Sequence, residues 1–236
     1  MTTNAVVAFM DILGFREMIE KNKLDDISKL YDTKLTPKVE SLNKIREVNE
    51  GFIDLLPEIH VLQVSDSIIL WIPEISEYTI LYLISSVREL MVNFLRRGVP
   101  LRGGISMGEL SVKRHSDHVN VFGNALTQAY KIEKDQQWSG CTVDSQCVEY
   151  MNSMDESPLE LALNQKLIAE YQVPKKHGKV EEQYVINWAS DPSLINYRKQ
   201  HFGMVFKMHK KRIDTWDVKV KLDNTIAFYK AMNKSK

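Results

Sequence analysis

A strand that ends on a carboxylate constrains this chain more than any other stretch of its sequence. Residues 5–9, Ala-Val-Val-Ala-Phe, form a short apolar run with β-branched content, the pattern of a buried strand. Asp11 stands where that strand ends, Gly14 follows, and residues 16–29 are rich in helix formers. An acid is thereby set beside the N–H groups of a turn and a helix start. A helix start presents unpaired donors and a positive dipole end, which suits a phosphate, while the acid can hold a divalent cation. The same pattern also fits a simple alternative, in which Asp11 caps the helix that follows it.

A second stretch repeats the theme. His60-Val61-Leu62-Gln63-Val64-Ser65-Asp66-Ser67-Ile68-Ile69-Leu70-Trp71 reads as two strands that meet at Ser65-Asp66. Two carboxylates, one at a strand end and one at a hairpin tip, can clamp two metal ions on a triphosphate. Taken alone, Asp66 also fits an ordinary turn aspartate.

The rest of the sequence narrows the class. A length of 236 residues suits one domain with an appendage. The 31 basic and 31 acidic residues cancel, which argues against bulk nucleic-acid binding. Cys141 and Cys147 have no second pair for a zinc site and no disulfide spacing, so a reducing cytoplasm is expected. Met1-Thr2-Thr3-Asn4 has no basic segment ahead of the apolar run, which does not read as a signal peptide. No apolar run approaches the ~20 residues that span a bilayer, so no membrane partner is expected.

The order of elements follows from periodicity. Residues 17–49 read as helix in two pieces, broken near 22–24, with Pro37 as a kink or restart, and 50–58 as a loop. Residues 75–97 carry Ile80, Leu83, Ile84, Val87, Leu90, Met91, Phe94 and Leu95 at helical spacing, a core-packing stripe that Gly98 stops. Residues 101–110 read as a strand whose three glycines predict close approach of a backbone or ligand. Then come a strand at 118–122, a helix at 125–137, a strand at 140–143 and a helix capped by Asp144. A strand is expected at 183–188 and helix over 192–236. This predicts an α+β or α/β sandwich with a mixed sheet.

Four motifs in this order carry a resemblance. Asp11-Ile12-Leu13-Gly14-Phe15 is similar to the first strand of class III nucleotide cyclases, an acid followed after two residues by Gly-Phe. Val64-Ser65-Asp66-Ser67 resembles their metal-binding hairpin, with Ser-Asp for the usual Gly-Asp. Leu101-Arg102-Gly103-Gly104-Ile105-Ser106-Met107-Gly108 resembles the family's Arg-x-Gly-Ile-x-x-Gly strand, and residues 119–133 its Gly-Asn strand and helix. The resemblance covers about residues 5–190. It implies a βαββαβ core at 1–190 and a head-to-tail homodimer with active sites at the interface; beyond it, the residue pattern predicts a C-terminal helical extension at 191–236.

The resemblance also assigns roles. Asp11, Asp66 and the Ile12 backbone would hold two Mn²⁺ or Mg²⁺ ions, and Gly14 and Phe15 would face the triphosphate. The base-reading lysine and acid of purine cyclases fall on Leu62 and Asn120, an apolar residue and an amide. The transition-state Asn and Arg fall on Thr127 and Lys131, four apart on one helix face. Thr127 can still donate a hydrogen bond, and Lys131 keeps a charge without the bidentate fork. Pro174-Lys175-Lys176-His177-Gly178-Lys179 resembles the hairpin that places a lysine on the triphosphate, with Lys176 and Lys179 as candidates. Without the resemblance, Lys131 reads as a solvated lysine, Thr127 as a helix-face hydroxyl, and 175–179 as a charged hairpin tip.

The altered base pair, Asp-Ile-Leu-Gly-Phe and Ser-Asp-Ser resemble the Pycsar antiphage pyrimidine cyclases. That implies conversion of UTP to cyclic UMP and pyrophosphate, as a second messenger for a separate effector. Cyclic CMP from CTP is the alternative, because the Asn120 amide can match either base by rotation. A purine cyclase and a non-catalytic, nucleotide-binding dimer module are the further alternatives.

Overall fold

The computed structural model describes residues 2–42, 57–154 and 157–233. The expected helix end at 43–49 and most of the loop at 50–58 lie outside the described residues.

Strand β1 (Thr2–Ile12) is central. It pairs antiparallel with β3 (Ser67–Ile72) on one side and β4 (Leu101–Arg114) on the other. β2 (His60–Val64) closes the hairpin with β3, and β5 (Val119–Phe122) forms a hairpin with the far end of β4. β6 (Cys141–Val143) runs parallel to β4, and β8 (Val180–Ile186) and β7 (Ile168–Pro174) follow it antiparallel. The order is β2-β3-β1-β4-β6-β8-β7, with β5 beside β4, so the α+β class and the mixed sheet are as expected.

Alternation along β1 defines two faces. Val6, Ala8, Met10 and Ile12 enter the main core, whereas Ala5 and Val7 enter a smaller cluster on the opposite face with Trp71, Leu110, Ala125 and Ala129. Helix α4 (Glu77–Arg96) lays its expected apolar stripe into the main core. Its start is a capping box, in which Ser76 accepts from the Thr79 N–H and Thr79 from the Ser76 N–H. Helix α5 (Asn124–Asp135) packs on the second face through Ala125 and Ala129. Gly104 permits this, because a Cβ there would stand 2.5 Å from the Ala129 carbonyl oxygen.

Several boundaries differ from expectation. The first helical region is three short helices, α1 (Phe15–Lys21), α2 (Leu24–Leu30) and α3 (Thr36–Glu40), with a π-helical turn at Tyr31–Leu35. The break after α1 falls at Asn22, as expected, where the backbone is extended and the amide donates to the Met18 and His209 carbonyls. β4 runs four residues past 110 because β5 folds back on it. β8 begins at Val180 rather than 183, and its partner β7 is a strand the sequence reading missed. Asp144 stands before helix α6 (Ser145–Asn152), but its carboxylate accepts from Ser106 Oγ at 2.9 Å instead of capping that helix. Helix α7 (Pro158–Asn164) completes this side.

The C-terminal helices α8 (Lys199–Lys207) and α9 (Trp216–Met232) are built into the main core. Phe228 of α9 stands 4.7 Å from Trp138, 4.9 Å from Tyr171 and 5.3 Å from Trp188, centroid to centroid. No helix among the described residues is long and apolar enough to cross a membrane.

Phe228→Ala is expected to lower stability by about 3–5 kcal/mol, because it opens a cavity among three large rings. Urea unfolding measures this. A loss below about 1 kcal/mol would place α9 outside the cooperative core.

Candidate functional site

The ends of β1 and of the β2–β3 hairpin converge. The Ile12 N–H donates to the Asp66 carbonyl at 3.0 Å, and the Asp11 and Asp66 carboxyls come within hydrogen-bonding reach of each other. The turn between β2 and β3 is the two residues Ser65-Asp66. Ser65 adopts φ 58, a left-handed conformation that glycine would hold without cost. On the other side of Asp11 lies its register partner on β4, Arg102.

Arg102 organises the charges. It is buried, and its Nε donates to Glu133 Oε1 at 2.6 Å, with Nη2 against the same oxygen. Its Nη1 donates to the Gln136 carbonyl at 3.0 Å, and Nη2 lies 3.7 Å from Asp11 Oδ2. Glu133 of α5 is also buried. Two carboxylates therefore share one guanidinium, and Asp66 adds a third negative charge beside Asp11. Burial, Glu133 and Asp66 push the Asp11 carboxyl up to about 7, against the opposing pull of Arg102. Neither Arg102 nor Glu133 was assigned a role from the sequence. The signal for Glu133 was its spacing, since Ala125, Ala129 and Glu133 share the buried stripe of α5.

The donor set at Asp11 and Asp66 is all oxygen, with the Ile12 carbonyl adjacent in the chain. Hard divalent ions such as Mg²⁺ and Mn²⁺ take such ligands, and surplus negative charge is what a cation relieves. Among the described residues no group of three or more His, Cys, Asp and Glu side chains is placed to hold a metal. The arrangement thus fits an ion that shares its remaining positions with water or with substrate phosphates.

The other expected residues lie at several separate places in the fold. Gly14, at φ 77, turns the chain into α1, and its carbonyl accepts from the Met18 N–H. Phe15 is half-buried against the main core. Thr127 and Lys131 are exposed on α5 and line a cavity of about 340 Å³ with Ser106, Asn124 and Gln146, which neither Asp11 nor Asp66 reaches. The Thr127 hydroxyl donates to the Gly123 carbonyl at 2.9 Å, so the donor expected to be free is engaged within its own helix.

Leu62 lies on the second face in a row with Ile69 and Phe9. Asn120 is exposed on β5 opposite Lys113, with β3, β1 and β4 between its strand and β2. The structure does not join these two positions within one sheet neighbourhood. At the β7–β8 tip, the buried lysine is Lys175, 3.5 Å from Asp135 and 3.7 Å from Glu181. Lys176 is half-buried and Lys179 exposed. A larger cavity, about 520 Å³, is lined by Gly14 and lies between α1 and the start of α9.

No family model and no curated protein matches the chain. Solved structures do. The catalytic core of a rhodopsin-guanylyl cyclase with converted specificity, in complex with ATPalphaS, superposes with a TM-score of 0.54 at 11% identity, over 79% of this chain and 97% of that one. The adenylyl cyclase CyaB from P. aeruginosa gives 0.51 at 13%, over 79% and 94%. A bacterial light-regulated adenylyl cyclase gives 0.52 at 13%, over 87% and 99%. The chain has the fold of class III nucleotide cyclases.

Burial of Asp11 carries a pH signature. Between its ordinary value of 3.8 and about 7, the folded metal-free chain keeps a proton that the unfolded chain has released. Stability therefore falls as pH rises through that window, and the loss is complete above it. Asp11→Asn is expected to raise metal-free stability at pH 8 by about 2 kcal/mol, and to change it little at pH 4. Urea unfolding in a chelator at both pH values checks this, and equal midpoints at pH 8 would refute it.

Proposed function

We propose that this chain is a metal-dependent nucleotide cyclase that works as a homodimer. The observation that carries the reading is the approach of Asp11 and Asp66 at the end of β1 and the tip of the β2–β3 hairpin, on a fold shared with solved cyclases. Asp11, Asp66 and the Ile12 carbonyl would hold Mg²⁺ or Mn²⁺, two ions per site. Such ions neutralise a triphosphate and lower the pKa of a ribose hydroxyl.

In this reaction the ribose 3′-hydroxyl gives up its proton to solvent, its oxygen forms a bond to the α-phosphorus, and pyrophosphate leaves with the electron pair of the broken bond between the α-phosphorus and the bridging oxygen. Gly14 and Phe15 offer backbone N–H groups to the polyphosphate. Lys176 and Lys179 at the β7–β8 tip add charge to the same group. Lys131 offsets the negative charge that develops on phosphorus, and Thr127 contributes once its hydroxyl turns away from the Gly123 carbonyl. The Thr127–Lys131 cavity and the Asp11–Asp66 pair are separate within one chain, which supports a site completed by a second copy.

The finer reading is a uridylate cyclase, making cyclic UMP in the cytoplasm as an antiphage signal for a separate effector. Its support is the resemblance of the motifs to pyrimidine cyclases and the apolar character of Leu62. Cytidylate cyclase is the alternative. The solved structures of similar fold are described as guanylyl and adenylyl cyclases, so a purine substrate is the next reading. A nucleotide-binding dimer without turnover gains some support from the engaged Thr127 hydroxyl.

Incubation with ATP, GTP, CTP and UTP separately, with Mn²⁺, and mass analysis of the products tests these readings. Cyclic UMP is expected, and cyclic AMP or GMP would overturn the pyrimidine assignment. Asp66→Ala is expected to lower turnover about a thousandfold while the dimer persists, and Lys131→Ala about a hundredfold. Retained turnover in Asp66→Ala would refute the metal assignment.

A further inference from the structure

A short strap from the C-terminal region crosses the turn that follows Asp11. Between α8 and α9 the chain makes a tight turn at Met208–Lys210, in which His209 and Lys210 adopt φ 57 and 59. Two successive non-glycine residues in left-handed backbone persist only where their surroundings hold them. Here they are held at both ends. Asn22 Nδ2 donates to the His209 carbonyl at 2.7 Å, and the His209 ring bonds the Arg97 carbonyl at 2.8 Å. Arg212 donates to Glu17 of α1 through its backbone N–H at 2.6 Å and through Nε at 2.5 Å.

Lys211 lies between these anchors and is buried. Its Nζ donates to the Gly98 carbonyl at 2.7 Å, in the turn that leads into β4. Its stem lies over Gly14, so close that a Cβ on Gly14 would stand 2.8 Å from Lys211 Cδ. One side chain therefore touches two turns. Those turns are already linked, since the Leu13 N–H donates to the Pro100 carbonyl at 2.9 Å.

We propose that Lys211 is a positioning residue for the turn between Asp11 and α1, through which the C-terminal strap sets where the Gly14–Phe15 backbone meets a substrate triphosphate. The mention of triphosphate rests on the cyclase reading above. The mechanical part, a strap that fixes this turn, does not.

The choice of residue supports a role beyond filling space. Burial pushes the Lys211 ammonium down to about 8, so keeping a charge there opposes folding. Methionine would cover Gly14 equally well without that cost. What the ammonium adds is the bond to Gly98, which couples the β1–α1 turn to the start of β4, together with a charge attraction to Glu17 of α1.

The test compares wild type with K211A, K211M and K211R by hydrogen exchange, and by steady-state turnover of the nucleoside triphosphate that the wild type accepts. In K211A the amides of Leu13 and Met18 are expected to exchange about tenfold faster, and KM to rise about tenfold with kcat within about twofold. K211M keeps the stem and loses the bond, so a smaller rise of both is expected. K211R is expected to restore the KM. Should K211A fail to fold, the smaller rise in exchange and in KM expected of K211M carries the test. Unchanged exchange at Leu13 and Met18 in the folded variants would overturn the proposal, as would a fall in kcat at constant KM. Were the wild type to turn over no triphosphate at all, the cyclase reading would fail by itself, and the exchange measurement would still decide whether Lys211 holds the turn.

Discussion

The buried guanidinium of Arg102 is the contact on which the arrangement of the site depends. It is the cation that Glu133 and Asp11 share at the join of β1, β4 and α5. A buried carboxylate without such a partner costs several kcal/mol, so Glu133 can sit on the apolar stripe of α5 only while Arg102 meets it. The geometry in turn requires α5 to lie flush on the sheet, which Gly104 allows. Gln136 fastens the end of the same helix. Its amide donates to the Gly103 and Ile132 carbonyls, and its oxygen accepts from Trp138 and Thr142. The helix that carries Thr127 and Lys131 is therefore located by the same network that flanks Asp11.

That network leaves the metal-free site under electrostatic tension. One guanidinium faces Asp11 and Glu133, with the Asp66 carboxyl at the far side of Asp11. Backbone strain at Ser65 adds about 1 kcal/mol beside the second acid. A core that includes α4, two tryptophans and the C-terminal Phe228 outweighs such local losses. Concentrated unfavourable terms of this kind, inside a well-packed scaffold, are what a bound cation would relieve.

Much of this was legible in the sequence, where the signal was local. The strand ending on Asp11, the hairpin with Asp66 at its tip and the stripe of α4 follow from alternation, turn chemistry and helical period. What stayed hidden depends on pairing between distant segments. That Asp11 faces Arg102 is a matter of register between β1 and β4. That Asp144 serves Ser106 instead of its helix is a contact across 38 positions. β7 was missed because Ile168-Ala-Glu-Tyr-Gln-Val mixes polar and apolar residues without a strong β signal. The strap at 208–212 carries no glycine to announce its left-handed turn, since contacts from Asn22, Arg97 and Glu17 supply what glycine would otherwise provide.

Lys131 and Thr127 bear on how the proposed chemistry would be shared out. An ammonium is a point charge that can reach one phosphate oxygen at a time, whereas a guanidinium fork fixes two. A threonine hydroxyl has one proton, and here it is held by the Gly123 carbonyl one turn back. In the proposed reaction the helix face would therefore offer electrostatic stabilisation with little directional control. Orientation of the triphosphate would then fall to the opposite side of the site, to the turn after Asp11 and the groups that hold it. In this chain the segment holding that turn comes from the C-terminal region, and Lys211 is the side chain that joins the two.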